Sequence, residues 1–559
     1  MASNKRYWKS EAELNPNDSI IETLKQNEFP EQIPVDEFLG DKEGLSSGNT
    51  NRRDFLKYVG FSTAAATVAA CEGPVRKSIP YVVQPERIVP GVANYYATTI
   101  ANGFDFASIL IKTREGRPIK VENNKDAKIQ GSANARIQAS VLSLYDSTRL
   151  QGPTANGNSI EWDALDTAAK AKFASLQTSG RQIAFLTQTY ASPSTSRLIG
   201  EFKEKFGNVN HVSYDAISEE AAISAYQDLY GSRALADYDF SKAELIVSFG
   251  ADFLSDWQGG GYDSGYAKGR VPAEGKMSRH IQFESNMSLT GANADKRIPL
   301  TPSEQKKALA SLFGQLNGSG VSTDLKESIK EAVDQASEQI RKAGAKAVVV
   351  TGLNDLDAQK LVLAINKMLN SEAFDASAPR YTRQGNNEAL STLIQDMNAG
   401  NVGALIIDGV NPMFTLPNAE EFAEAAAKVD MTVAFSLNQN ETTEICQFVA
   451  ASNHYLESWG DVEMKKGHYS LTQPAIRELF DTRQFQQAVL SWMDSEQSYY
   501  EYIKDTWTTS IIGENSWDKA LHDGVYSLSA DEDVSTPSSA QEGSEAAADM
   551  EEMAASVQR

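Results

Sequence analysis

The chain has 559 residues, with 75 acidic side chains against 52 basic ones and two cysteines. Its formal charge of −23 excludes a nucleic-acid binder, because phosphate contacts need clustered Lys and Arg. Cys71 and Cys446 are too few for an iron–sulfur cluster held by four thiolates or for an all-cysteine zinc site, and His211, His280, His454, His468 and His522 have no metal-ligand spacing.

In chain order, the first informative segment runs from Asn51 to Cys71. Arg52 and Arg53 are followed by Phe55-Leu56-Lys57, an apolar run from Tyr58 to Ala70, and then Cys71. This order reads as a twin-arginine export signal, the route taken by proteins that cross the bacterial inner membrane already folded. Small residues precede Cys71 as they do at a lipoprotein cleavage site, which makes Cys71 a candidate for lipidation. The apolar run falls short of the roughly 20 residues that span a bilayer, so the segment is an address rather than an anchor. About fifty residues precede the arginines, an unusually long head for such a signal.

Residues 1–71 therefore stand apart from the fold. Residues 72–155 form a small β-rich module, in which Ser108-Ile109-Leu110-Ile111-Lys112 is strand-like and Arg114 to Val121 reads as a turn and a second strand. Strands and helices then alternate. An Ala-rich helix starts at Trp162, Ile183 to Thr187 is a strand, and Pro193 to Phe206 has helical spacing with Pro at its first turn. The runs 245–250, 347–352, 404–409 and 433–436 are mostly apolar and read as buried strands. Such strands imply parallel sheets covered by helices on both faces, with ligands held beyond the strand carboxyl ends. A helical stretch from about Pro302 to Gly344 separates two groups of strands, which predicts two doubly wound α/β lobes, 156–300 and 301–528, with a cleft between them. The last segment, 529–559, is rich in Ala, Ser, Glu and Gly. From Asp531 to Arg559 it has eight acidic residues against one basic; it reads as a disordered acidic tail or linker.

No nucleophile-and-base set can be assembled from one internal cysteine and dispersed histidines. Gly259-Gly260-Gly261 lacks both the Walker lysine and the Rossmann spacing and reads as a surface loop. Ser285-Asn286 with Ala294-Asp295 marks a candidate nucleotide-contacting turn. Glu441-Thr442 and His454 with Glu457 have acid–base groups, but a structural role is the simpler reading.

Several pieces in order resemble the molybdopterin-dependent oxidoreductases: Gly116-Arg117-Pro118 with Val121-Glu122; Tyr145-Asp146 with Arg149-Leu150; Trp162 to Leu165; Asn411-Pro412; Asn440 to Thr443; and His454 to Asp461. Within that family, the Tyr7-Trp8-Lys9-Ser10 head, the export signal, Cys71, Ile79-Pro80-Tyr81-Val82 and Gln84-Pro85-Glu86 resemble the large iron–sulfur subunit of alternative complex III, a bacterial quinol-oxidising membrane assembly. The resemblance implies a molybdopterin oxidoreductase-like α/β fold of two lobes plus the β-rich module. The chain is similar to the N-terminal, molybdopterin-enzyme-like half of that subunit. Iron–sulfur clusters would lie in the C-terminal half, haem c in multihaem cytochrome c partners, and quinol sites in multi-span membrane subunits.

Where working enzymes carry a cluster motif, Tyr95 to Gly103 has no cysteine, and no residue matches the usual Cys or Ser metal ligand, though Asp serves in some relatives. The resemblance therefore implies a portion that kept the fold and lost molybdopterin and clusters: a scaffold at the periplasmic face of the inner membrane, with no catalytic, metal or cofactor-binding residue assigned. The rivals are an active exported molybdopterin-dependent oxidoreductase, with Asp or a water-derived oxygen on the metal, and a stand-alone exported binding protein.

Overall fold

The computed structural model describes residues 91–127, 133–272, 275–319 and 324–528. Arg52, Arg53, Phe55, Leu56, Cys71 and the acidic tail lie outside the described residues. No helix among the described residues is long and apolar enough to cross a membrane.

The β-rich module is an antiparallel sheet of β1 (Ala93–Ala101), β2 (Phe106–Arg114) and β3 (Arg117–Asn123) in that order. Alternation along β2 sends Ala107, Ile109 and Ile111 inward, onto Ile137 and Val141 of the helix Ala135–Ser143. Two short strands follow, β4 (Thr154–Ala155) and β5 (Asn158–Ser159), then β6 (Gln182–Thr187), β7 (Val209–Ser213), β8 (Leu235–Tyr238), β9 (Leu245–Phe249), β10 (Arg279–Glu284) and β11 (Lys296–Pro299). The chain continues with β12 (Ala347–Thr351), β13 (Phe374–Arg380), β14 (Val402–Asp408), β15 (Met431–Ser436), β16 (Phe448–Ala451), β17 (Gly460–Lys465), β18 (His468–Thr472) and β19 (Val525–Ser527).

The expected α/β class and its two doubly wound lobes are present, but the strands do not divide at residue 300. One sheet has the order β5-β4-β16-β15-β14-β6-β7, the other β11-β10-β9-β12. β6 and β7 from the first half of the chain lie beside β14 to β16 from the second, and the second sheet is an insertion built from residues 245–351. The core strands β16, β15, β14, β6 and β7 run parallel, so consecutive strands are joined by crossovers rather than hairpins. Nothing in a crossover's length says which earlier strand a later one joins. A further five-stranded sheet, β19-β18-β17-β13-β8, gathers strands from distant parts of the chain.

Both parallel sheets are covered on two faces. In β6, Ile183 and Phe185 face one core and Ala184 and Leu186 the other. In β9 and β12, Val247, Phe249 and Val349 face one core while Ile246, Val348 and Val350 face its opposite. Helix ends are set locally. Pro193 opens the helix Pro193–Phe206, where the Ser192 hydroxyl accepts from Thr195 N. A Thr301–Glu304 capping box starts the helix Pro302–Asn317.

Candidate functional site

In the seven-stranded sheet the order reverses between β14 and β6, since β7 lies to one side and β15 and β16 to the other. Carboxyl ends diverge at such a point and leave a crevice. A cavity of about 520 Å3 sits there. Gln188, Tyr190 and Ser192 reach it from the end of β6, Asp408 to Asn411 from the end of β14, and Ser436 to Asn438 from the end of β15. The loop after β16 adds Ser452 to Tyr455. The module closes it with Thr99 to Asn102, Ser140 and Ser143, and β17 adds Asp461 and Val462.

The lining corrects the expectation of a cleft between the two lobes, because no residue of the four-stranded sheet contributes to it. The reversal point of that sheet, between β9 and β12, is sealed. A Cβ on Gly352 would stand 2.4 Å from the Gly250 carbonyl oxygen, and Gln305 packs against Gly250 while donating to Ser285 Oγ at 2.7 Å. Asp295 is held by Arg270, Nη1 at 2.7 Å, and by His280 N at 2.7 Å. Ser285 and Asp295 are thus spent on protein contacts.

Charge decides what the large cavity can hold. Among the described residues its wall has no Lys or Arg, but it has Asp408 and Asp461. Asp461 is buried and accepts from Ser192 Oγ and Ser194 Oγ at 2.5 Å each and from Trp507 Nε1 at 2.9 Å; burial raises its pKa against these bonds. Asp408 accepts one bond, from the Tyr190 hydroxyl at 2.5 Å, and its other oxygen has no partner among the described residues. Burial pushes the Asp408 carboxyl up to about 6 and the Tyr190 hydroxyl well above its usual range.

His454 and Glu457 are structural, as their sequence context suggests. His454 Nδ1 accepts from Leu456 N at 3.2 Å, so the ring is neutral with its proton on Nε2, 2.9 Å from Ser143 Oγ. Burial pushes its pKa down to about 4. Glu457 takes a bidentate bond from Arg149, 2.6 and 3.1 Å, and both side chains are at most 1% exposed. Glu441 accepts from Asn411 Nδ2, and Thr442 donates to Asn411 Oδ1; this ties the loops after β14 and β15 together. Gly259 to Gly261 all have φ between 73° and 89°, and Gly259 packs under the guanidinium of Arg383.

A side cavity of about 220 Å3 shares Asn102, Gln188 and Gly409 to Asn411 with the large one and adds Asp215 and Arg383. The Arg383 guanidinium donates to the carbonyls of Gly103, Phe104 and Thr382 and stacks on the Phe104 ring at 5.0 Å. Gln188 forms the partition. A Cβ at Gly409, where φ is +69°, or at Gly103 would come within 2.7 Å of it. Asp408, Tyr190 and Gln188 escape notice as site residues in the sequence, and Asp461 enters it only as the end of the motif His454 to Asp461. One signal was available, because Asp408-Gly409 directly follows the apolar run 404–407, and a carboxylate at a parallel strand's end faces the crevice.

The α/β architecture is of the molybdopterin oxidoreductase-like type, as its likeness to a solved structure shows. The chain superposes on acetylene hydratase from Pelobacter acetylenicus with a TM-score of 0.59 at 12% identity, covering 78% of this chain and 74% of that one. No family model matches. In sequence it is 23% identical over 498 residues to the menaquinone reductase, molybdopterin-binding-like subunit of Nitratidesulfovibrio vulgaris strain Hildenborough, covering 78% of this chain and 70% of that protein. It is 28% identical over 279 residues to the arsenate respiratory reductase molybdopterin-containing subunit of Shewanella sp. strain ANA-3, covering 46% of this chain and 31% of that protein. These likenesses support the molybdopterin-enzyme-like resemblance and stop short of alternative complex III.

The lining does not suit the cofactor that this fold suggests. A pterin dinucleotide carries a pyrophosphate, and a cation is the usual counterpart of such an anion; the described wall of the cavity has two carboxylates among neutral polar groups and no Lys or Arg. Cys446, the only cysteine among the described residues, is buried away from the lining, and burial pushes its thiol up to about 12. No group of three or more His, Cys, Asp or Glu among the described residues is placed to hold a metal ion.

Proposed function

We propose that this chain is a molybdopterin-enzyme-like scaffold subunit of a bacterial respiratory quinol oxidoreductase of the alternative complex III type, without molybdopterin or clusters of its own. The observation that carries this reading is the main cavity, which occupies the ligand position of the fold while its described wall has two carboxylates and no cation. The relative in Nitratidesulfovibrio vulgaris, by its name a molybdopterin-binding-like subunit of menaquinone reductase, supports a place in quinone-linked electron transfer.

In this reading Arg52 and Arg53 direct export by the twin-arginine route, Cys71 is lipidated, and the chain stands at the periplasmic face of the inner membrane. Electrons pass from quinol-binding multi-span subunits through the clusters of an iron–sulfur domain to haem c in multihaem cytochrome c partners. This chain contributes rigid surface that fixes their spacing. The rival, an active molybdenum enzyme, draws on the unpartnered oxygen of Asp408 as a metal ligand.

Purification of the native assembly in mild detergent, followed by elemental and haem analysis, separates the readings. Haem c and multi-span subunits are expected to accompany the chain with molybdenum and tungsten near zero. Stoichiometric molybdenum or tungsten overturns the scaffold reading, and a monodisperse monomer free of haem favours the stand-alone binding protein.

A further inference from the structure

We infer that the 520 Å3 cavity is a binding site for an uncharged, polyhydroxylated ring compound, a sugar or a phosphate-free nucleoside, with a ligand hydroxyl donated to Asp408. The inference rests on the reading that no pterin dinucleotide fills this space. Its volume falls within the roughly 300–1,000 Å3 of small-molecule sites.

Most polar groups of the wall are already engaged. Asn411 is bonded to Glu441 and Thr442, Asn438 to Asp146 and Thr148, and Asn440 caps the next helix. The groups left over are few and of one kind. The second oxygen of Asp408 and the side-chain amide of Gln188 have no hydrogen-bond partner among the described residues. Buried polar atoms are almost always satisfied by protein, water or ligand.

The groups left open to the cavity are a carboxylate oxygen of Asp408 and the amide of Gln188, with no cation among them. The carboxylate oxygen accepts from O–H and N–H groups and repels phosphate, while the amide both donates and accepts. Trp459 adds ring surface to the same wall, suited to the apolar C–H edges of a sugar or to a base. An uncharged ring with hydroxyls meets the carboxylate oxygen, the amide and the indole together.

The test is titration of the purified full-length chain with maltose, myo-inositol, adenosine, guanosine diphosphate and inorganic pyrophosphate, followed by calorimetry and by intrinsic tryptophan fluorescence. Saturable binding of at least one uncharged compound is expected, and the sugar and adenosine arms tell the two sources apart. Its dissociation constant should be unchanged up to about 0.5 M salt, because an uncharged ligand is not screened. Asp408→Asn should weaken it about tenfold without lowering the thermal midpoint. The inference fails if pyrophosphate or the diphosphate binds as tightly, if no uncharged probe saturates, or if Asp408→Asn binds as the parent does. Failure here leaves the scaffold reading standing, whereas stoichiometric molybdenum in the native protein removes that reading whatever the titrations give.

Discussion

The pair Arg149–Glu457 shows how a residue suspected of chemistry comes to serve structure. Both are buried and joined by two bonds, and Glu457 also accepts from the backbone of His454 and Leu479. It ties the module to the loop after β16. Arg149→Met would leave a buried carboxylate unpaired, with an expected loss of about 3–5 kcal/mol, read from denaturant unfolding. Two other groups make stability depend on pH in opposite senses. His454, held neutral with its pKa lowered to about 4, binds its proton less readily in the folded state. Its contribution is present above the unfolded value near 6.5 and is lost as pH falls toward 4. Asp408, raised to about 6, retains its proton longer when folded, so it destabilises progressively as pH rises from about 4 to 6. Asp408→Asn is therefore expected to be more stable than the parent above pH 6, by up to about 3 kcal/mol, and equal to it near pH 3. Unfolding curves across that range check both signs.

At the scale of elements, glycines decide which sheet keeps a crevice. Gly352 lets the end of β12 close upon the backbone of Gly250, which shuts the reversal point of the four-stranded sheet. A methyl group has no flexible neighbour to displace there, so Gly352→Ala should cost about 1–3 kcal/mol by overpacking, measured as a fall in the thermal midpoint. Gly409 works the other way in the seven-stranded sheet. Its left-handed conformation and bare Cα give Gln188 room to divide the two cavities. Caps act more locally. Thr301→Ala removes one side of the Thr301–Glu304 box and should cost about 1 kcal/mol.

At the scale of the whole molecule, the seven-stranded sheet joins residues 182–213 to residues 402–451, so neither half of the chain has a complete sheet. A fragment of residues 156–300 would present β6 without β14 and β9 without β12, with apolar faces uncovered. It is expected to aggregate or to lack a cooperative thermal transition, whereas the intact chain melts cooperatively; calorimetry and circular dichroism distinguish the two outcomes. Closure of such distant pairings costs chain entropy before any contact rewards it, so folding of this body should be slow.

The mostly apolar runs 245–249, 347–351 and 404–407 and the proline-led helix at 193 are local properties, and by themselves they determined the α/β class and the place of that helix. The family resemblance was carried by short motifs, and it pointed to the loops after β14, β15 and β16 that surround the cavity. Strand order was beyond local reading, because buried parallel strands are all alike in composition and only packing selects which of them are neighbours. For the same reason the cavity was legible only in three dimensions. Asp408, Tyr190, Thr99 and Asn453 are separated by up to 354 positions in the chain, and their meeting, like the lack of any cation among the residues described around them, is a consequence of how the sheets are assembled.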